Sequence, residues 1–414
     1  MLTSRDDLRK PPRLPRGWML LGPAFVAAIA YVDPGNVAAN LSGGARYGYL
    51  LVWVLVTANL MAGLVQYQSA KLGIVSGRTM PELLGERLRP NARRAFWVQA
   101  EIVAAATDLA EVIGGAIALN LLFGLPLVMG GVIVGIVSML LLAAQSRYGQ
   151  RPFESVIVGL LAIIAIGFLA GLVVNPPNAS AIVGGLLPRF DGSGSVLLAA
   201  SMLGATVMPH AIYVHSALAR DRHGSPFEPA ARDRLLRATR WDVIIALGVA
   251  GLVNVGMLLL AAENLRGVAG TDTIDGAHAA IGAALGPVIA LVFAIGLLAS
   301  GLASTSVGSY AGATIMAGLL KRRIPLFVRR VVTLIPALAI LAIGADPTAA
   351  LVLSQVVLSF GIPFALIPLV RLTNDRRIMG ATANGLVVRV ILTVIVVLGV
   401  ALNLALVVLT VSNL

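Results

Sequence analysis

The chain has 414 residues, of which 58% are hydrophobic and only 12% charged. That composition excludes a water-soluble globular domain and describes a polytopic membrane protein. The absence of cysteine excludes disulfides, thiolate metal sites and Cys nucleophiles, and the net charge of +12 sits in loops beside apolar segments, where it reports membrane topology rather than nucleic-acid binding.

Residues 1–17 hold two acids and several prolines, lack a small-residue cleavage pattern, and lead straight into an apolar run, as a short cytoplasmic tail would. Apolar runs of about 20 residues then recur to the end, the length of a helix that crosses a hydrocarbon core, whereas a barrel would show shorter alternating segments. They predict spans near 18–42, 49–72, 95–123, 126–145, 154–174, 195–219, 242–262, 286–317, 329–344, 348–370 and 387–411, eleven transmembrane helices in one domain over 18–414. Placing the N-terminus and every second loop in the cytoplasm puts 28 of the 31 Lys and Arg there and leaves only Arg46, Arg189 and Arg266 outside. This asymmetry supports a cytoplasmic N-terminus and an extracytoplasmic C-terminus.

The first span is interrupted by Asp33-Pro34-Gly35-Asn36, and the sixth, in GATVMPHAIYVHSAL, by Met208-Pro209-His210. Proline removes a backbone donor and glycine tolerates unwinding, so each break frees carbonyls and exposes helix ends. Paired breaks at similar depth are the mark of transporters built from inverted repeats. Spans 1–5 (about 18–174) and 6–10 (about 195–370) are therefore expected to be such repeats, with span 11 (about 387–411) outside them.

An ionisable side chain at membrane depth points to function. If the breaks face each other, Asp33 offers an anionic oxygen, Asn36 an amide oxygen, the unwound backbone at Ala205 a carbonyl, and Met208 a thioether. Oxygen alone would suit Mg²⁺ or Ca²⁺; the soft sulfur shifts preference toward Mn²⁺, Fe²⁺, Co²⁺ or Cd²⁺. Taken alone, Pro209 is an ordinary kink and Met208 a packing residue.

DPGN in span 1 and MPH in span 6 resemble the Nramp family of proton-coupled divalent metal transporters, the bacterial manganese transporters in particular. The likeness extends over nearly the whole chain, through GGARYGYLLVWVL, ATDLAEVIGGA, LLASGLASTSVGSYAG and LVLSQVVLSFGIPFALIPL. It implies a LeuT-like 5+5 inverted-repeat fold and a metal site of Asp33, Asn36, Met208 and the Ala205 carbonyl, joined in some states by Gln355. One departure is Ala211, where many members carry Asn after MPH.

Span 3 carries Glu101, Asp108 and Glu111 within about 60° of one helix face. Such a stripe is either a structural network paired with basic residues or a proton path. The resemblance implies the second, with Asp108, Glu111 and Arg330 leading from the site toward the cytoplasm. His210, beside the break, and His215 are candidates for proton exchange because imidazole titrates near neutral pH; His215 is equally readable as a satisfied helix residue.

The expected function is import of Mn²⁺, and of Fe²⁺ as a second substrate, with proton co-transport, by a monomer in a bacterial inner membrane that needs no cofactor. A sodium-coupled organic solute transporter of the same architecture and a passive cation channel are the alternatives. An intramembrane metalloprotease is excluded, since no HExxH spacing occurs among the four histidines.

Overall fold

The computed structural model describes residues 22–224, 228–271, 273–322 and 324–412. The expected tail, 1–17, and the first residues of the first span lie outside them. No strand occurs among the described residues. The first expected span is two helices, α1 (Pro23–Ile29) and α2 (Pro34–Tyr47), joined by a 3₁₀ turn over Ala30–Val32 and an extended Asp33. There follow α3 (Val52–Ser76), a short α4 (Met80–Arg87), α5 (Pro90–Phe123), α6 (Leu127–Tyr148), α7 (Gln150–Val174) and a short α8 (Ala179–Gly185). The sixth expected span is again divided, into α9 (Gly192–Thr206) and α10 (Pro209–His223). The chain continues through α11 (Pro229–Asn264), α12 (Ile274–Leu285), α13 (Pro287–Leu320), α14 (Leu326–Ala342), α15 (Pro347–Asn374), α16 (Arg376–Met379) and α17 (Leu386–Ser412).

Each expected span coincides with one helix or a helix pair. By length and apolar composition, however, nine helical stretches among the described residues suffice to cross a membrane. Two things separate nine from eleven. α2 and α3 form one nearly continuous stretch, Pro34–Ser76, and α14 has only 17 residues, two of them Arg329 and Arg330. The loops also contain more helix than hydrophobic periodicity indicates. α4 is held by a capping box between Thr79 and Glu82, α8 by the Asn178 side chain, and α12 by Thr273. Burial alone would raise the Glu82 carboxyl, but the Thr79 amide and the Arg220 guanidinium outweigh it and hold this group below the usual range.

Seven helices start on proline (23, 34, 90, 209, 229, 287 and 347), where the missing amide would have had no intrahelical partner. The broken helices occupy the centre. The most apolar window of the α9–α10 stretch is 89% buried and that of α5 83%, against 33% for α6 and α7 and 22% for α17, which form the periphery. Small residues let the central helices meet. A side chain at Gly301 of α13 would approach the Glu111 carbonyl and the Gly115 amide of α5 to 3.0 Å, and one at Gly114 would run into the Pro34 ring. α2 and α11 are further joined by the amides of Asn40 and Asn254, 2.9 Å apart.

Close backbone approach gives a direct test. A Cβ at Gly44 would collide with the Leu258 carbonyl of α11, whereas one at Gly63 meets nothing within 4 Å. Gly44→Ala is expected to lower stability by about 1–3 kcal/mol and Gly63→Ala to leave it unchanged or slightly higher. Thermal unfolding of the purified proteins checks the pair, and equal melting temperatures would contradict the packing.

Candidate metal site between two helix breaks

At the first break the backbone leaves helical geometry at Asp33 (φ −71°, ψ 165°) and resumes at Pro34. Asp33 becomes the N-cap of α2, its Oδ1 accepting the Asn36 amide at 2.9 Å and Asn36 Nδ2 at 2.6 Å. Carbonyls released ahead of the break find new donors: Tyr31 O accepts Asn254 Nδ2 at 2.7 Å, and Val32 O accepts Ser300 Oγ at 2.5 Å. Unwound backbone is tolerated in the interior because these groups are satisfied by neighbouring helices.

The second break follows the same logic. In an unbroken helix the Ala205 carbonyl would accept the amide of residue 209, but Pro209 has none. α9 ends at Thr206, Val207 (φ −99°, ψ 70°) and Met208 (φ −74°, ψ 120°) lie outside helical geometry, and α10 begins at Pro209. The freed Ala205 carbonyl accepts Asn36 Nδ2 at 2.8 Å, so one amide nitrogen bridges Asp33 at the first break and Ala205 at the second.

α15 closes the group from the side. Gln355 Nε2 lies 3.5 Å from Asp33 Oδ2, a weak contact. This helix can come so near because residue 35 is glycine: any side chain there would occupy the place of the Gln355 amide. Asp33, Asn36, Ala205, Met208 and Gln355 are all fully buried, and Asn36 Oδ1 and Gln355 Oε1 have no hydrogen-bond donor among the described residues. The arrangement thus gathers buried oxygens, one carboxylate among them, at a point where two helix ends meet. It suits a cation. No cluster of three or more His, Cys, Asp or Glu side chains that could hold a metal occurs among the described residues, so any metal here would be held by a mixed set.

The acids of α5 part company. Asp108 is ion-paired with the buried Arg330 of α14, whose Nε also donates to Ser138 Oγ at 2.9 Å. Glu101 pairs with the adjacent Arg329 at 2.7 Å, a partner that sequence reasoning did not single out. Glu111, fully buried, lies beside Ser304 and Thr305 of α13 and within electrostatic reach of Asp33. The stripe therefore begins next to the candidate site and continues away from it as two ion pairs.

The histidines sit in different surroundings. His210 Nδ1 is 3.3 Å from Thr107 Oγ1, between α10 and α5. His215 Nδ1 is 2.7 Å from Gln66 Oε1, and the Gln66 amide in turn donates to the Tyr31 hydroxyl, so this residue is wired to the segment just before the first break. Gln66, Tyr31 and Asn254 escaped sequence reasoning; amides at membrane depth in α3 and α11 were the available signal. Asp242 also escaped it. Its carboxylate accepts the Gly22 and Ala24 amides at 3.0 and 2.9 Å and so holds the start of α1, beside a Glu154–Arg222 pair at 3.2 Å.

Comparison with known proteins gives the family. Residues 24–409 match the family model described as natural resistance-associated macrophage protein-like, Nramp. The chain is 61% identical over 400 residues to the divalent metal cation transporter MntH of Mycobacterium tuberculosis, covering 97% of this chain and 94% of that protein. It is 47% identical over 385 residues to MntH of Deinococcus radiodurans, covering 92% and 88% of the two chains. Among solved structures, the Eremococcus coleocola manganese transporter, in complex with an aromatic bis-isothiourea substituted compound, superposes with a TM-score of 0.86 at 30% identity, over 97% of this chain and 90% of that one. The nucleobase-cation-symport-1 transporter Mhp1 shares the fold at 16% identity, with a TM-score of 0.57 over 97% and 92% of the two chains. These relatives are named as transporters, in keeping with the expectation that the chain is not an enzyme. With the family model spanning nearly the whole chain, the protein belongs to the Nramp family.

Proposed function

We propose that the protein imports divalent transition-metal ions, Mn²⁺ first and Fe²⁺ as a second substrate, with proton co-transport by alternating access. The observation that carries this reading is the bridge from Asp33 through Asn36 Nδ2 to the Ala205 carbonyl. A donor now lies between two acceptor oxygens that belong to opposite helix breaks, which is where a cation would make its contacts. When the Asn36 amide turns to present Oδ1, Asp33, Asn36 and Ala205 supply hard oxygens. Met208 adds the soft sulfur that disfavours Ca²⁺ and Mg²⁺. Gln355 supplies a further amide oxygen.

Asp33 links metal and proton because one buried carboxylate at the site can be neutralised by either. A proton released there passes to Glu111 and on along the α5 stripe, where Asp108–Arg330 and Glu101–Arg329 carry charge between helices. His210 and His215 offer proton exchange on the α10 side of the break. In this reading the two halves, about 18–174 and 195–370, are inverted repeats around the site, and the helix near 387–411 lies outside them. The N-terminus is cytoplasmic and the C-terminus extracytoplasmic in the inner membrane, as the 28 to 3 distribution of Lys and Arg supports. The protein acts as a monomer. A membrane potential negative inside draws each cationic charge inward by roughly 2.3 kcal/mol per 100 mV.

Uptake into proteoliposomes tests the function. With an inward pH gradient, Mn²⁺ accumulation should be accompanied by acidification of the lumen; metal entry without proton movement would overturn the coupling, and no metal entry the transport reading itself. The role of the sulfur has its own test. Met208→Ala is expected to keep part of the Mn²⁺ uptake while competition by Ca²⁺ rises about tenfold, and an unaltered competition curve would remove the thioether from the site.

A further inference from the structure

Arg46, Arg189 and Arg266 are the three basic residues outside the basic loops, and they come from three different connections. They nevertheless line one cavity of about 540 Å³, together with Tyr47, Tyr49 and Asp191. Arg46 lies in the last turn of α2 and Arg266 just beyond α11, where a cation complements the helix dipole. No helix end explains Arg189, which arrives from the segment between α8 and α9. All three are exposed, so solvent screens their mutual repulsion, but guanidinium groups that share one cavity still favour an anion among them.

The protein does not provide enough negative charge. None of the three arginines forms an ion pair among the described residues. Asp191 is the one carboxylate among the described residues that line the cavity, and the carboxylate of Glu263 accepts the hydroxyl of the lining Tyr49; against three arginines, one positive charge is left over even when both acids are counted.

Exposed apolar side chains accompany the charge. Val183, Leu186, Leu187 and Phe190 are 65%, 44%, 65% and 46% exposed on the segment that contributes Arg189. Trp53 donates its indole N–H to the Arg189 carbonyl at 3.3 Å and meets the Phe190 ring edge-on at 5.4 Å, an aromatic pair of the kind found where hydrocarbon gives way to headgroups. A basic cavity on the same segment as exposed aliphatic side chains matches the two ends of a phospholipid.

We propose that this cavity binds the phosphate of an anionic phospholipid headgroup, with the acyl chains lying over Val183, Leu186 and Leu187. Bound there, the lipid fastens the ends of α2 and α11 to the α8 segment and offsets positive charge at one end of the helix whose other end carries Asn36. Arg46 and Asn36 are ten residues apart in α2, about 15 Å along its axis. The proposal is independent of which cation the central site holds.

Detergent-purified protein tests it by native mass spectrometry and thermal unfolding with phosphatidylglycerol, phosphatidylcholine or inorganic phosphate added. Phosphatidylglycerol should be retained and raise the melting temperature by about 3 °C more than phosphatidylcholine does. Retention should fall about fivefold in the Arg46→Gln/Arg189→Gln/Arg266→Gln variant, whose Mn²⁺ binding by calorimetry reports separately on folding and on the central site. Equal retention by wild type and variant would overturn the site. If inorganic phosphate alone reproduces the stabilisation and no lipid is retained, the lipid assignment is overturned in favour of a free oxyanion. Should the variant not fold, the wild-type comparison decides, and no preference for phosphatidylglycerol over phosphatidylcholine overturns the proposal.

Discussion

The structure turns on a hydrogen bond that proline forbids. Pro209 has no amide to give the Ala205 carbonyl, and a buried carbonyl left unpaired costs about 1–3 kcal/mol. Asn36, in the first turn of α2 just past the unwinding at Asp33, supplies the missing donor from the opposite break at 2.8 Å. Two local defects, each unfavourable in lipid, satisfy one another. The result is a polar point in an apolar bundle, and every surrounding helix is arranged to tolerate it.

That tolerance is visible residue by residue. Asn254 and Ser300 take up the carbonyls of Tyr31 and Val32, glycines at 35 and 114 let α15 and α5 close on the break, and Gly301 lets α13 lie against α5. The charged residues nearby follow one rule. Those farther from the site, Asp108 and Glu101, are paired with arginines of α14, while Asp33 and Glu111, next to it, are not ion-paired among the described residues. A buried carboxylate without a countercharge favours whatever cation can reach it, metal or proton, since burial penalises an isolated charge.

Much of this was legible in the sequence because the signals were chemical contradictions. An acid followed by proline and glycine inside an apolar run is costly in a membrane helix, and a second proline, ordinary by itself, gains meaning from standing at the matching place of a later run. Asp33, Asn36, Ala205 and Gln355 do come together, and Met208 stands at the second break. What sequence could not convey was pairing at a distance. Whether Glu101 meets Arg329 or Arg330 depends on a helix rotation of one residue, and the partnership of Gln66 with both Tyr31 and His215 depends on how α3 lies across the break. The short helices α4, α8 and α12 were hidden for another reason: their caps, not their hydrophobic period, define them. By length and apolar composition nine stretches among the described residues stand out rather than the eleven expected, because α2 runs nearly straight on into α3 and α14 is short and carries, in its second turn, two arginines paired with acids of α5.

Crystals soaked in Mn²⁺ and measured at the manganese absorption edge bear most directly on the metal site. The predicted result is one dominant anomalous peak between the two breaks, within coordination distance of Asp33, Asn36, Met208 and the Ala205 carbonyl, and absent from an Asp33→Asn crystal. A dominant peak elsewhere, or one that persists in Asp33→Asn, would contradict the assignment of the paired helix breaks as the place where the metal is held.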